Sequence, residues 1–497
     1  MAQPKERTAI KVQSERAIVA AVRTPDSNYN RLDPFGELRA LAQQAGAVIV
    51  GEMEQQRDRP DAGTFMGSGK VEELKTFCAA REASLVIFDH DLSPRQIANI
   101  EEIVGRKVID RSELILDIFA SRATTREAQA QVELAQLEYT YPRLRAMWSH
   151  LERIVGVGGI GGIGTRGPGE QQLEIDRRLA QKRRLELQRE LEEIQGRKRR
   201  MVAQRKLDHF TVGLVGYTNA GKSTLFNTLT SGGAYADDRL FSTLMTRTRE
   251  WNVGLDAPAA PGAPARAGVG VRVMLSDTVG FVRDLPHNLI ASFRATLEEA
   301  THADLLLIVL DVSDPAAELQ HQAVTSTLDD LFADLARAED RARKRGDGSS
   351  GAAPWREPRR VLLLNKVDRL RDNADLLVWQ RRVPDAIAIS ARQPDGPGHA
   401  ELRRVVRDAA RGGVVEAVLR VPMADSRVIN MIESRAEVLA REYEGDHAAL
   451  RVRIGRTQIE QIRSAARTFG KGRVEVTEVP PEPISRPRRR AAAPRKR

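Results

Sequence analysis

The sequence predicts a multidomain α/β protein, and three observations carry that expectation. Short apolar, β-branched runs alternate with helix-compatible runs through residues 16–112. A glycine-rich string, Gly216-Tyr217-Thr218-Asn219-Ala220-Gly221-Lys222-Ser223, lies between an apolar run and a helix-compatible run. Two long helix-compatible stretches, 113–153 and 170–206, flank a segment dense in glycine. A chain of 497 residues exceeds one ordinary domain, so about two to four cores are expected.

After an N-terminal extension over 1–15, residues 16–112 read as a small parallel α/β domain. Strands are expected at Ala17 to Val22, Ala47 to Gly51, Leu85 to Phe88 and Lys107 to Ile109, with helices at Pro34 to Ala45, Gly69 to Arg81 and Pro94 to Val104. Helical crossovers of this length join parallel strands, whereas antiparallel neighbours need only a tight turn. Gly67-Ser68-Gly69-Lys70 holds half of a phosphate-loop pattern without the full spacing, and reads as a turn opening a helix.

Residues 113–207 read as an antiparallel helical hairpin. Its second stretch carries Leu173, Leu179, Leu187, Leu191 and Ile194 among many charges, a narrow seam suited to one partner helix. The connection, 156–169, is longer than a hairpin needs. It is either a flexible linker or a functional loop in which Gly158, Gly161, Gly164, Arg166 and Gly169 let backbone approach phosphates or bases closely.

Residues 208–412 carry the most specific chemistry. Phe210 to Val215 reads as a buried strand and Lys222 to Thr230 as a helix start, the strand-loop-helix context a phosphate loop requires. Its inward N–H groups and the helix N-terminus favour phosphate, Lys222 can reach the outer phosphates, and the Ser223 hydroxyl can ligate Mg²⁺. Asp277-Thr278-Val279-Gly280 ends the strand Val269 to Leu275; there the acid holds Mg²⁺ through water and the Gly280 N–H can contact a γ-phosphate. The loop Asp237 to Arg249 is the second expected moving segment. Within its string Phe241-Ser242-Thr243-Leu244-Met245, Thr243 is the chosen Mg²⁺ ligand, with Thr246 and Thr248 as rivals that spacing leaves open. Asn365-Lys366-Val367-Asp368 follows the strand Val361 to Leu364, and the Asp368 carboxylate can accept from the ring N–H and exocyclic amine of guanine, which adenine does not offer. Ser390-Ala391-Arg392, after the strand Ala386 to Ile389, can donate backbone N–H groups to the guanine carbonyl. The ligand these strings imply is GTP, with GDP as product. Many GTPases place Gln after the Asp-x-x-Gly segment to orient water, but this chain has Phe281, so no catalytic residue is assigned and slow intrinsic hydrolysis is expected.

Asp256 to Gly268 and Arg341 to Pro358 read as insertions without assigned chemistry. In 413–480, Val414 to Val421, Asp425 to Glu442, Leu450 to Ile454 and Thr457 to Phe469 read as strand, helix, strand and helix, with Arg473 to Val476 a final strand: a small α+β domain. The Arg-rich 481–497 reads as a disordered basic tail and supplies much of the net charge of +10, which permits a polyanionic partner without identifying one. A lone cysteine, Cys78, excludes an internal disulfide and suits a small core position. With neither a signal peptide nor a long uncharged apolar run, a soluble monomer in the cytoplasm is expected, free of integral membrane association and peripheral to a membrane at most.

Gly164-Thr165-Arg166-Gly167-Pro168-Gly169-Glu170-Gln171-Gln172-Leu173-Glu174, preceded by Gln131 to Leu137 and by Pro142-Arg143-Leu144, resembles the HflX family of GTPases from about Val19 to Ala410. The resemblance implies an N-terminal HflX domain, a helical hairpin and a P-loop GTPase domain related to the Obg group. It also implies binding to the large ribosomal subunit and its rRNA, with the glycine-rich loop near the peptidyl-transferase centre, and splitting of stalled or idle ribosomes under stress. The alternatives are a GTP-dependent regulator of ribosome assembly or translation that splits nothing, and a nucleotide-dependent RNA remodeller resting on Gly67 to Lys70. Two departures from the family pattern stand out: Gln171 where Thr is usual, and Met245-Thr246-Arg247-Thr248-Arg249 where Asp-Pro-Thr-Thr-Arg is usual.

Overall fold

In a computed structural model of the protein, the described residues are 15–27, 29–156, 178–197, 209–230, 247–254, 271–283, 301–345, 357–394, 396–412, 414–469 and 474–479. They fall in two compact units: a larger one with the N-terminal sheet, the paired helices and most of a second sheet, and a smaller one with the C-terminal sheet. Residues 1–14 of the N-terminal extension, the loop 157–169, the insertion Asp256 to Gly268 and the basic tail lie outside the described residues.

Strands β1 (Arg16–Arg23), β2 (Val48–Gln56), β3 (Leu85–Phe88) and β4 (Lys107–Asp110) form a parallel sheet in the order β2-β1-β3-β4. Every residue of β1 after Arg16 is buried, as a parallel strand covered on both faces demands. Its alternate side chains feed two cores. Ala17, Val19 and Ala21 pack with Leu38 and Leu41 of α1 (Gly36–Gln44), while Ile18, Ala20 and Val22 pack with Val71 and Leu74 of α2 (Ser68–Ala80) and Ile97 and Ile100 of α3 (Pro94–Val104). Cys78 is buried in the second of these cores. Gly67 caps α2 and Lys70 pairs with Glu73, so this segment is a helix-opening turn. The reversal of strand order places the carboxyl ends of β1 and β3 at a topological switch point.

The stretch read as one helix from Glu113 is two. α4 (Arg111–Arg122) ends where Ala123 turns extended, and α5 (Arg126–Gly156) starts behind Thr125, whose hydroxyl accepts from Ala128 N at 3.3 Å. A hydroxyl that satisfies a free helix N–H favours a new helix start at this point. α5 continues through Pro142. It pairs with helix α6 (178–197) through Leu187 and Leu191 against Ala130 and Leu134. The bidentate pairs Arg126–Glu190 and Arg183–Glu133 fix an antiparallel register. Leu179 is 58% exposed and takes no part in the expected seam; Leu173 is outside the described residues.

The second sheet has six strands: β5 (Phe210–Gly216), β6 (Arg247–Gly254), β7 (Val271–Asp277), β8 (Leu305–Asp311), β9 (Arg359–Asn365) and β10 (Ile387–Ala388), in the order β10-β9-β8-β5-β7-β6. Strands β5, β8, β9 and β10 run parallel. Helix α7 (Lys222–Thr230) follows β5. The long helix Ala317–Arg345 covers the sheet with Val324, Leu328, Leu331 and Phe332 and takes in the start of the expected insertion at Arg341.

The C-terminal sheet is antiparallel, with β11 (Val414–Pro422), β12 (Glu437–Glu444), β13 (His447–Gly455) and β14 (Glu475–Glu478) in the order β12-β13-β11-β14. Asp425 to Glu442 was expected to be one helix; the helix is Ser426–Arg435, and Glu437 onward is strand. Ala436 is already extended, and Gly445 at φ +58 closes a hairpin onto β13 that gains a full ladder of hydrogen bonds. Helix periodicity alone misses that long-range pairing. No helix among the described residues is long and apolar enough to cross a membrane.

Candidate functional site

The carboxyl ends of β5, β7, β9 and β10 bring four of the sequence strings together. Gly216 (φ +153) and Gly221 (φ +96) both take backbone conformations closed to ordinary side chains. A Cβ on Gly216 would lie 2.2 Å from Val309 O, and one on Gly221 2.3 Å from Asn365 Nδ2, so close packing demands glycine at both positions. Asn219, at φ +62, occupies the left-handed region that Asn tolerates better than most residues.

Lys222 is buried and its Nζ donates to Gly216 O at 3.0 Å and Tyr217 O at 2.7 Å. Burial pulls its pKa down to about 8, with the Asp277 carboxylate opposing the shift. The Ser223 hydroxyl donates to Asp277 Oδ2 at 2.7 Å, which joins the start of α7 to the end of β7. Thr278 Oγ1 donates to Leu214 O at 2.7 Å and locks the following turn to β5. Val279 and Phe281 are buried, and Phe281 forms a parallel bridge with Tyr217. In that bridge Phe281 N donates to Gly216 O at 3.0 Å and Thr218 N donates to Phe281 O at 2.8 Å.

The other end of the site is organised by Asn365. Its Nδ2 donates to Ala220 O at 2.7 Å and its Oδ1 accepts from Ala391 N at 2.9 Å, so one buried amide ties the phosphate-loop string to both later strings. Lys366, at φ +64, pairs with Asp311 at 2.7 Å. Val367 and Asp368 lie in a single 3₁₀ turn (Val367–Arg369), with Asp368 exposed. Ser390 is fully buried, its carbonyl 3.0 Å from His399 Nε2, and Thr228 Oγ1 donates to Ala391 O at 2.7 Å. Arg392 is exposed beside them.

Phe241 to Met245, including Thr243, and the rival Thr246 lie outside the described residues. Thr248 is on β6 with its hydroxyl 3.0 Å from Ser276 Oγ. Gly158, Gly161, Gly164, Arg166 and Gly169 also lie outside the described residues.

Sequence reasoning missed a charged cluster beside this site. Arg23, Asp89 and Arg111 are at most 4% exposed, and with Glu37 they meet Tyr217 and Arg283. The available signal was local: an arginine ends the apolar run of β1, and Asp89 and Asp110-Arg111 close those of β3 and β4.

A largely parallel sheet with a Gly-x-x-x-x-Gly-Lys-Ser loop after β5, Asp-x-x-Gly after β7 and Asn-Lys-x-Asp after β9 defines a P-loop GTPase domain. The family model described as 50S ribosome-binding GTPase matches residues 211–339. Models of a GTP-binding GTPase N-terminal region and middle region match 33–120 and 122–205. GTPase HflX of Escherichia coli (strain K12) is 39% identical over 399 residues, spanning 80% of this chain and 84% of its own. GTPase HflX of Lacrimispora saccharolytica is 45% identical over 327 residues, spanning 66% of this chain and 73% of its own. That of Magnetococcus marinus is 38% identical over 420 residues, spanning 84% and 86%. The chain belongs to the HflX family of GTPases, and hydrolyses GTP.

Proposed function

We propose that this GTPase is a switch that docks on the large ribosomal subunit in its GTP form and separates the subunits of stalled or idle ribosomes under stress, with hydrolysis permitting release. The observation that carries the switch reading is the packing of Gly280 and Phe281 directly on the phosphate loop. A segment in that position must respond to whatever Lys222 binds.

In this reading Gly216 to Ser223 cradle the phosphates, Lys222 neutralises the outer ones and Gly280 N–H meets the γ-phosphate. Asp368 reads the base, the Lys366 stem covers one of its faces, and Ser390, Ala391 and Arg392 contact the guanine carbonyl. The hard oxygens of Ser223 and Asp277, within hydrogen-bond distance of one another, are the donor chemistry Mg²⁺ requires, and Thr243 would complete the set. When bound, the ion supplies charge neutralisation to the β- and γ-phosphates. Phe281, buried and without a hydrogen-bonding side chain, leaves water unpositioned, so intrinsic turnover is slow and ribosome contact accelerates it. The loop 156–169 reaches rRNA through its glycines and Arg166, and the protein works in the cytoplasm.

Sedimentation of intact ribosomes with the purified chain and a nonhydrolysable GTP analogue tests this. Separated subunits, with the protein on the large one, are expected. Protein bound to intact, unsplit ribosomes would favour regulation without splitting, and absence from the large subunit would sink the ribosomal reading altogether.

A further inference from the structure

At the switch point of the N-terminal sheet, where ligands of open α/β sheets commonly bind, the occupant is a side chain of the GTPase segment itself. Asp89, 1% exposed, accepts from Arg23 Nη1 at 2.9 Å and from Arg111 Nη1 at 2.8 Å. Arg283 adds a third guanidinium, its Nη2 3.1 and 3.2 Å from the two Asp89 oxygens. Glu37 of α1 balances that charge: it pairs with Arg111 at 2.7 Å and with Arg283 Nε at 3.7 Å, and accepts from the Tyr217 hydroxyl. The Arg283 backbone is held as well. Its N–H donates to the Tyr217 oxygen at 2.8 Å, and its carbonyl accepts from Arg111 Nε at 3.3 Å.

Arg283 lies two residues beyond Phe281, which is zipped to Gly216 and Thr218, and three beyond Gly280. A Cβ on Gly280 would stand 2.7 Å from Thr218 Cγ2 and 3.1 Å from Lys222 Nζ. The Gly280 backbone therefore lies against the phosphate loop, close to the Lys222 ammonium that an outer phosphate would approach. The chain from Lys222 through Gly280 and Phe281 to Arg283, Glu37 and Asp89 is therefore one continuous mechanical connection. A cavity of about 320 Å³, bordered by Asp33, Glu37, Tyr217, Asn219 and Arg283, gives a released Arg283 room to move.

We propose that Arg283 and Tyr217, gripped by Glu37 of α1 and Asp89 at the end of β3, form a latch that holds residues 280–283 down on the phosphate loop and biases the site toward nucleoside diphosphate over triphosphate. These are positioning residues: they act through the Gly280–Phe281 backbone. The latch rests on the reading of Gly216 to Ser223 as the GTP site. It is reciprocal: a bound triphosphate that lifts the segment also frees Asp89 and Glu37 from Arg283.

The test measures dissociation constants of the full chain for fluorescent GDP and a fluorescent nonhydrolysable GTP analogue. Arg283→Ala is expected to raise analogue affinity relative to GDP on the order of tenfold, a typical coupling between sites. Glu37→Gln and Tyr217→Phe shift the ratio in the same direction by less, and Arg283→Lys restores part of it. Thermal melting identifies any variant that fails to fold; Glu37, partly exposed, then serves as the alternative probe. An unchanged or lowered ratio in folded variants, or equal weakening of both nucleotides, overturns the latch. Wild-type protein that binds neither nucleotide instead overturns the site on which it rests.

Discussion

The two ends of the proposed GTP site, a base end and a phosphate end, are built in opposite ways. At the base end, Asn365 holds Ala220 and Ala391 in place, Thr228 holds the Ala391 carbonyl, and β9 and β10 fix the ends of both strings. The contacts described there come from one sheet, its first helix and His399 on a later one. At the phosphate end, Lys222 is satisfied by two loop carbonyls, and the adjoining segment is secured from the N-terminal sheet through Arg283. A frame closed on itself suits selection of one base. A frame completed by a separate element suits a change of state, because contacts between elements can be given up while each element keeps its own fold.

The sharpest way to break this contrast is at Asp368. Replacing Asp368 by Asn keeps the shape and substitutes a donor for one acceptor oxygen opposite the guanine N–H groups. Loss of one buried, charge-assisted pairing is worth about 1–3 kcal/mol or more, so preference for GTP over other purine triphosphates should fall roughly 10- to 100-fold. Competition binding with GTP, XTP and ATP measures it. Because Asp368 is exposed and the frame does not depend on it, thermal stability should stay at the wild-type value. Unaltered base preference would refute the division of labour.

Asn365 tests the frame itself. Asn365→Ala strands the Ala220 carbonyl and the Ala391 N–H, two buried groups, at a cost of about 1–3 kcal/mol. Unlike Asp368→Asn it should lower both thermal stability and affinity for GDP and GTP alike, by roughly tenfold. A change confined to one nucleotide would mean that the two ends are more tightly coupled than the contacts indicate.

Much of this site is legible from local pattern. The loop from Gly216 to Ser223 and the Asp277, Asn365 and Ser390 strings each sit at a strand end, and periodicity with glycine spacing locates strand ends well. Even the role of Asn365 as a tie between strings follows from its chemistry. What local pattern could not supply is the partner of Arg283. Asp89 lies 194 residues away, and only the strand order β2-β1-β3-β4 brings its carboxylate to that position. The same limit produced the one mistaken helix beyond Asp425: the sequence from Glu437 pairs with β13 because Gly445 reverses the chain, and helix periodicity does not encode that partner.

A pH titration separates folding from binding at the phosphate end. Burial lowers Lys222 from its ordinary 10.5 to about 8, with Asp277 only partly opposing. The folded chain therefore gives up this proton near pH 8 while the unfolded chain keeps it to about 10.4. Between these values the unfolded state binds more protons, so the contribution of Lys222 to folding stability rises with pH. Phosphate binding needs the ammonium, so nucleotide affinity should fall over the same window, by up to about tenfold per pH unit. Calorimetric titration with GDP in buffers of different ionisation enthalpy should register proton uptake above pH 8 and essentially none at pH 7. Affinity that stays flat to pH 9.5 would mean that Lys222 holds its proton through the hydrogen bonds to Gly216 and Tyr217, and that the phosphate end is as fixed as the base end.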